Sequence, residues 1–145
     1  MNDGYDVVIT VQGLQIYTDG DPDASELMTQ GRLTLGEDGF ILTYEETELT
    51  GMEGTTTCFI QEGEQITLTR TGTVNNHMVF REGRQHSSLY ETPHGSVTVD
   101  IRTNYLRSTI GEAGGALELS YDVSIQKKLM CRNHVHVRVR RSNSR

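Results

Sequence analysis

The stretch FILTYEE, residues 40–46, alternates between two sets of side chains, and this alternation indicates the fold. Successive side chains of a β-strand point to opposite faces, so every second residue of this stretch would lie on one buried face. The stretch ITLTRT, residues 66–71, repeats the pattern. Glu46 and Arg70 continue the two apolar faces, although charged residues are rare in protein interiors unless they are paired. The sequence therefore predicts a sheet with one buried face and a polar site on that face.

Similar alternation covers nearly the whole chain, and short turns rich in glycine separate the segments. The predicted strands are residues 5–17, 25–35, 40–48, 55–61, 65–72, 76–81, 85–91, 96–106, 116–125 and 128–140. A short helical turn is predicted around residues 49–54 or 108–113. About ten strands exceed what one flat sheet holds comfortably, and closure removes exposed edges. We therefore predict a single all-β domain, residues 1–145, folded as a closed antiparallel up-and-down barrel of eight to ten strands. Strand 5–12 would close against strand 128–140.

Charge is distributed unevenly along the chain, whose net charge is −7. Residues 1–64 carry fourteen acidic residues and one basic residue, whereas residues 65–145 carry six acidic and twelve basic residues. A basic half can favour nucleic acid, because Lys and Arg neutralise phosphates. These basic residues are not interleaved with aromatic residues that could stack on bases, so we prefer attraction between neighbouring terminal strands of the barrel. Nucleic-acid binding is therefore the third functional hypothesis.

The cysteines and the start of the chain bear on the compartment. Cys58 and Cys131 lie far apart in sequence and form no metal-binding spacing, so we expect two reduced thiols. The chain opens without the features of a signal peptide, and no apolar run approaches the roughly 20 residues of a transmembrane helix. The sequence predicts a cytoplasmic protein without membrane association.

The turn at Glu62-Gly63 sets the register of the strands on either side of it. A two-residue turn at this point fixes which residues face each other across the hairpin. The predicted cross-strand pairs are Phe59 with Ile66, Thr57 with Leu68, and Thr55 with Arg70. For the following hairpin, residues 76–91, the sequence allows two turn lengths. A three-residue turn brings His86, Ser88 and Tyr90 to the inner face, whereas a two-residue turn places them on the outer face.

Polar residues collect around Arg70 on the predicted inner face. A guanidinium group in a dry cavity suits a carboxylate or phosphate group. We therefore predict that the barrel lumen binds a small, partly apolar anion and needs no cofactor. The predicted ligand-binding residues are Tyr44, Glu46, Thr55, Thr57, Arg70, Met78, Tyr90, Thr103 and Tyr121. The alternative is that Glu46 and Arg70 form a structural pair, and that a protein partner binds the charged outer surface.

Catalytic and metal-binding motifs are absent from the sequence. No serine or cysteine has an identifiable base and orienting acid. His134 and His136 would share one face of a strand, but the positively charged Arg138 and Arg140 follow them, and we assign no metal ion. We therefore expect a protein that binds a ligand without catalysing a reaction.

Several short motifs lie in a fixed order along the chain. They are Tyr44-x-Glu46, Thr55-x-Thr57, Arg70-Thr-Gly72, Met78-x-Phe80, Tyr90-Glu-Thr-Pro-His-Gly95, Thr103 and Leu117-x-Leu-x-Tyr121. In this order and spacing they resemble the YwiB-like family of uncharacterised bacterial proteins. The resemblance covers about residues 5–140 and implies a calycin-like barrel, similar in shape to lipocalins, with no established activity. The chain contains no tryptophan, so the Gly-x-Trp motif of lipocalins is absent, and the resemblance implies no lipocalin ligand.

Overall fold

Ten strands follow one another along the chain, and turn residues separate them as predicted. The computed structural model describes residues 4–73, 75–93 and 95–142, without the side chains of Thr50 and residues 90–92. The strands are β1 (Tyr5–Tyr17), β2 (Asp23–Leu35), β3 (Phe40–Glu45), β4 (Thr55–Glu62), β5 (Gln65–Gly72), β6 (Asn76–Arg81), β7 (Gln85–Thr92), β8 (Gly95–Ser108), β9 (Gly115–Ile125) and β10 (Lys128–Arg141). A 3₁₀ turn at Glu48–Thr50 overlaps the first predicted helical segment and ends β3 earlier than predicted. The second predicted segment, residues 108–113, contains no helix.

The strands form one antiparallel sheet that curves into an up-and-down barrel. Their order in the sheet is β6-β5-β4-β3-β2-β1-β10-β9-β8-β7. Residues 7–17 of β1 pair with residues 131–141 of β10, which confirms the predicted closure between the first and last strands. The prediction of a fully closed barrel is wrong, because the sheet ends at β6 and β7, and no ladder joins these two strands within the described residues.

The turn between β6 and β7 explains the open seam, because its backbone bonds to β8. The Arg81 N–H donates to the Thr103 hydroxyl at 3.2 Å. The Gly83 N–H donates to the Thr103 carbonyl at 2.9 Å, and the Thr103 N–H donates to the Arg84 carbonyl at 3.0 Å. The turn itself is closed by the Arg84 N–H, which donates to the Arg81 carbonyl at 2.8 Å, and its other backbone bonds go to Thr103 of β8.

Alternation along the strands places one set of side chains in a continuous core, as period-two patterning requires. The most deeply buried apolar side chains come from strands all around the barrel. They include Val7, Ile9, Leu33, Leu42, Ile66, Phe80, Leu117 and Val137, each at most 1% exposed. The core therefore occupies the barrel interior, and the inner faces agree with the predicted phase except at the end of β8. There a bulge after Thr103 turns Tyr105, which was predicted to face inward, to the outer side, and Leu106 packs against the core instead.

The register of β4 and β5 differs from the prediction by two residues. The loop consists of Gly63 and Glu64, and Glu62 pairs with Gln65. Gly63 has a φ of +63°, a left-handed conformation that glycine adopts without steric cost. The predicted pairs are therefore wrong: Phe59 lies opposite Leu68, Thr57 opposite Arg70, Gln61 opposite Ile66, and Thr55 opposite Gly72. A shift of two residues leaves every side chain on its predicted face.

Gly31 of β2 lies where the inner wall has no space for a side chain. A Cβ atom built on Gly31 would lie 2.4 Å from Ile9 Cδ1 and 2.5 Å from the Thr43 carbonyl oxygen. Gly31 pairs with Val7 on one side and with Tyr44 on the other. The missing side chain therefore lets Ile9 and Tyr44 pack close to the β2 backbone.

The described ion pairs do not join the acidic and basic halves of the chain. Arg32 lies 3.4 Å from Asp6 within the first half, and Arg132 lies 2.7 Å from Asp122 within the second half. All four residues lie on the outer surface. The predicted attraction between the halves is therefore not seen as an ion pair among the described residues, because Arg138 and Arg140 of β10 lie opposite the uncharged Thr10 and Val8 of β1.

Candidate functional site

A row of four residues crosses the inner face of β3, β4, β5 and β6. Tyr44 lies opposite Thr57, Thr57 opposite Arg70, and Arg70 opposite Asn76. Residues directly opposite in an antiparallel pair share one face, with Cβ atoms about 4.5–5.5 Å apart. Because Tyr44 and Thr57 are buried, the row points into the barrel. This row brings the predicted site residues Tyr44, Thr57 and Arg70 together.

Glu46 lies just beyond β3, on the same inner face as this row. Its backbone N–H donates to the Thr55 carbonyl at 2.8 Å, which continues the β3–β4 ladder by one more bond. The Thr57 hydroxyl donates to the Glu46 carboxylate at 2.5 Å. Glu46 is 6% exposed, and Thr55 and Thr57 are fully buried. The predicted inward orientation of Glu46 is confirmed, and β4 supplies a donor to the carboxylate.

Tyr44 lies near both charged residues of the site, Glu46 and Arg70. Burial is the largest cause that raises the pKa of the Tyr44 hydroxyl, and the neighbouring Glu46 carboxylate raises it further. The Arg70 guanidinium lowers the pKa of Tyr44, whereas a hydrogen bond to Glu46 raises it. A tyrosine with a raised pKa keeps its proton at neutral pH and can donate it to a carboxylate. Glu46 and Arg70 therefore both act on Tyr44.

Arg70 and Asn76 differ from the rest of the row, because each has a buried polar atom that bonds to no group among the described residues. These atoms are Arg70 Nε, a donor, and Asn76 Oδ1, an acceptor. Buried polar groups in native proteins are nearly always hydrogen-bonded, and an unmet group calls for an explanation. The row thus ends, on its β6 side, with a hydrogen-bond donor on Arg70 beside an acceptor on Asn76.

Three further predicted residues, Met78, Thr103 and Tyr121, lie on the wall formed by β6, β8 and β9. Met78 lies opposite Leu68 and is partly buried. Thr103 pairs with Tyr121 and is 1% exposed, and its hydroxyl accepts a hydrogen bond from the Arg81 N–H at the seam. The Tyr121 ring lies 4.7 Å from the Phe80 ring, measured between centroids. These side chains face the lumen and give it apolar walls.

Strand β7 resolves the alternative that the sequence left open. His86 pairs with Ile101 and Ser88 pairs with Val99, and both partners are buried core residues. His86 and Ser88 therefore share the inner face, as the three-residue turn predicted. Tyr90 pairs with Val97 through its backbone, but its predicted role as a ligand-binding residue concerns a side chain outside the described residues.

Two polar residues of the inner face were missed in the sequence analysis. Asn76 was missed because only the register of β6 places it opposite Arg70. Asn133 is 4% exposed, and its amide donates to the Cys131 thiol at 3.4 Å. The sequence contained a signal for Asn133, since it continues the alternating valines at residues 135, 137 and 139.

The structure describes cavities both on the outer surface and at one end of the barrel, where Ile66, Arg81 and Leu106 line a space of about 280 Å³. The groove between Leu14, Tyr105, His134 and His136 has a volume of about 310 Å³. Glu118 also lines this groove, yet no cluster of three metal-ligating side chains is found in residues 4–73, 75–93 and 95–142. In the same residues, no helix is long and apolar enough to span a membrane.

Comparisons with known proteins agree on the family and the fold. The family model described as "Domain of unknown function (DUF1934)" matches residues 9–137, which is most of the chain. No curated protein sequence matches the chain. Among solved structures, the ywiB protein from Bacillus subtilis is similar, with a TM-score of 0.80 and 17% sequence identity. The match covers 98% of this chain and 96% of the ywiB chain, and at this identity it shows the fold alone.

Proposed function

We propose that this chain, which belongs to the DUF1934 family, binds a small, partly apolar anion in the lumen of its barrel without catalysing a reaction. The observation that carries the proposal is the buried Arg70 Nε, whose N–H meets no hydrogen-bond acceptor in the part of the chain that the structure describes. A guanidinium group remains charged at every physiological pH and donates hydrogen bonds only. An anionic acceptor is therefore the group that best satisfies it.

The position of Arg70 in the row favours an anion at this end of the site. Glu46 has the Thr57 hydroxyl as a donor, and it also acts on Tyr44. Arg70 is separated from Tyr44 by the intervening strand β4, and its other neighbour is Asn76. An anion bound beside Arg70 and Asn76 would thus lie on the side of the row away from the Glu46 carboxylate.

The walls next to Arg70 favour a ligand with an apolar part. Leu68 and Met78 form the next inward-facing pair on β5 and β6. Phe80 and Tyr121 lie beyond them in ring contact. Ligand pockets are mostly apolar, with a few polar groups that fix the orientation of the ligand. The seam beside β6 offers a route to this face, because no ladder seals the wall there in the described part of the chain.

The proposal also covers the fold class and the cellular compartment of the protein. We assign the barrel to the calycin-like architecture, which the ten-stranded meander supports. A cytoplasmic location in a bacterial cell is supported by two free cysteines and by the similarity to a protein from Bacillus subtilis.

A fluorescence titration tests the lumen proposal. The probe is 8-anilinonaphthalene-1-sulfonate, a partly apolar anion whose emission rises in apolar surroundings. Loss of a hydrogen bond to a charged group costs about 1.5–3 kcal/mol, so Arg70→Met is expected to weaken binding roughly 10- to 150-fold. The matched control, Arg138→Met, removes an exposed arginine of β10 and is expected to leave the affinity unchanged.

The alternative proposal is a protein partner on the outer surface. It is favoured by the outward groove of about 310 Å³ and by exposed apolar side chains at Leu14 and Ile16 of β1. Equal probe affinity for the wild type and Arg70→Met would overturn the lumen proposal in favour of such a surface. The nucleic-acid hypothesis rests on the basic outer face of β10, and a labelled single-stranded oligonucleotide tests it with the same two variants.

A further inference from the structure

We propose that the ligand carries a hydrogen-bond donor next to its anionic group, as 2-hydroxy and 2-amino carboxylates do. This inference rests on the proposed function, because it concerns the same site. Its basis is that two buried atoms of the site, which find no partner within residues 4–73, 75–93 and 95–142, are of opposite kinds: Arg70 Nε donates and Asn76 Oδ1 accepts.

A simple carboxylate would satisfy only one of these two atoms. When ionised, it accepts hydrogen bonds and donates none. It would satisfy the Arg70 N–H and leave the Asn76 oxygen buried without a donor. A buried polar group without a partner is unfavourable, so a ligand that also donates to Asn76 gains affinity over one that does not. A hydroxyl or an ammonium group on the neighbouring carbon supplies that donor.

The register makes contact of one small molecule with both residues feasible. Arg70 and Asn76 are direct cross-strand partners on β5 and β6. Their Cβ atoms are therefore about 4.5–5.5 Å apart, and their side chains extend from the same face. A carboxylate and the hydroxyl of the adjacent carbon lie close enough together to reach both groups. The apolar part of the ligand would then lie along Leu68 and Met78.

Two probes that differ by one hydroxyl group test the inference. Mandelate is phenylacetate with a hydroxyl at the 2-position, and each enantiomer is titrated into the protein by calorimetry. The wild type is expected to bind one mandelate enantiomer about 10-fold more tightly than phenylacetate. In Asn76→Leu this preference is expected to fall to about one. His77→Leu, which changes the exposed neighbour on β6, is the matched control and is expected to keep the preference.

A second variant covers the case in which Asn76→Leu does not fold. Asn76→Asp keeps an acceptor at this position but adds a negative charge. It is expected to keep the preference for mandelate while both anions bind more weakly. Loss of the preference in Asn76→Asp, with folding intact, would contradict an acceptor role for this side chain.

The outcomes separate this inference from the proposed function. If the wild type binds both probes equally and Arg70→Met weakens both, the anion site stands and the donor requirement is wrong. If neither probe binds, or if Arg70→Met binds them as the wild type does, the anion site itself is wrong.

Discussion

The Thr57 hydroxyl donates to the buried Glu46 carboxylate at 2.5 Å, and its neighbour Thr56 makes the same kind of bond to the exposed Glu45 at 2.9 Å. Thr57 and Glu46 face the lumen, whereas Thr56 and Glu45 face outward. The two bonds therefore compare one chemical interaction inside and outside the barrel.

Thr57→Val is expected to lower the free energy of unfolding by about 1.5–3 kcal/mol, because it removes a donor from a buried carboxylate. Thr56→Val is expected to change it by less than about 0.5 kcal/mol, since water replaces the lost donor at Glu45. Urea unfolding at neutral pH measures both. Equal losses in the two variants would show that the Glu46 carboxylate does not depend on Thr57.

Asn76→Leu is expected to stabilise the ligand-free protein by about 1 kcal/mol, because it removes a buried acceptor to which the described residues supply no donor. Asn133→Leu is the matched control. Its amide donates to Cys131, which is also buried, so the change is expected to destabilise the protein. Urea unfolding of both variants without added ligand checks the contrast. A destabilised Asn76→Leu would mean that the Asn76 oxygen is satisfied in solution.

The raised pKa of Tyr44 predicts that the protein loses stability at alkaline pH. Burial raises the pKa of Tyr44, whereas a tyrosine in the unfolded chain has a pKa of about 10. Above that pH the unfolded chain loses the proton while the native protein keeps it. The Tyr44 contribution to the free energy of unfolding is therefore fully present below about pH 10, and it falls by about 1.4 kcal/mol per pH unit above it.

Tyr44→Phe removes this pH-dependent contribution. The difference in unfolding free energy between the wild type and Tyr44→Phe is therefore expected to be constant up to about pH 9.5. By pH 11 the wild type is expected to have lost more than about 1 kcal/mol of unfolding free energy relative to Tyr44→Phe. Urea unfolding of both proteins across this range measures the difference. A difference that does not change with pH would contradict the raised pKa.

The turn between β9 and β10 offers a stabilising change. Gln126 and Lys127 have φ values of 53° and 69°, which disfavour residues with a Cβ atom. Lys127→Gly is expected to raise the free energy of unfolding by about 1 kcal/mol and the melting temperature by roughly 2–4 °C. Lys128→Gly, one residue later in β10, is the control and is expected to be neutral or destabilising. Calorimetry checks both, and a lower melting temperature for Lys127→Gly would contradict the turn geometry.

The sequence predicted the strand boundaries well, because alternation and turn residues are local signals. The stretch at residues 40–46 marked the inner face that Tyr44 and Glu46 occupy. The register of β4 and β5 could not be predicted from the alternation, because a shift of two residues leaves the alternation unchanged. That shift decides whether Thr57 or Thr55 faces Arg70.

The open seam and the position of Asn76 opposite Arg70 could not be predicted either, because both depend on pairing between residues that are distant in sequence. A turn at residues 81–84 reads as an ordinary hairpin in the sequence, and its preference for Thr103 of β8 depends on distant residues. Asn76 follows a turn and looks like a turn residue until the β5–β6 register places it opposite Arg70. Long-range pairing, rather than local propensity, decides both features.

The most direct test of the central claim is the NMR signal of the Arg70 Nε–H group. Arg70→Lys, which lacks this group, assigns the signal in a ¹H–¹⁵N spectrum of the wild type. Addition of mandelate or 8-anilinonaphthalene-1-sulfonate is expected to shift this signal and slow its exchange with water, because the anion becomes its acceptor. A saturable shift at the Arg70 signal is the result we predict. An Arg70 signal that stays unchanged while signals of the outer face of β10 move would contradict binding in the lumen.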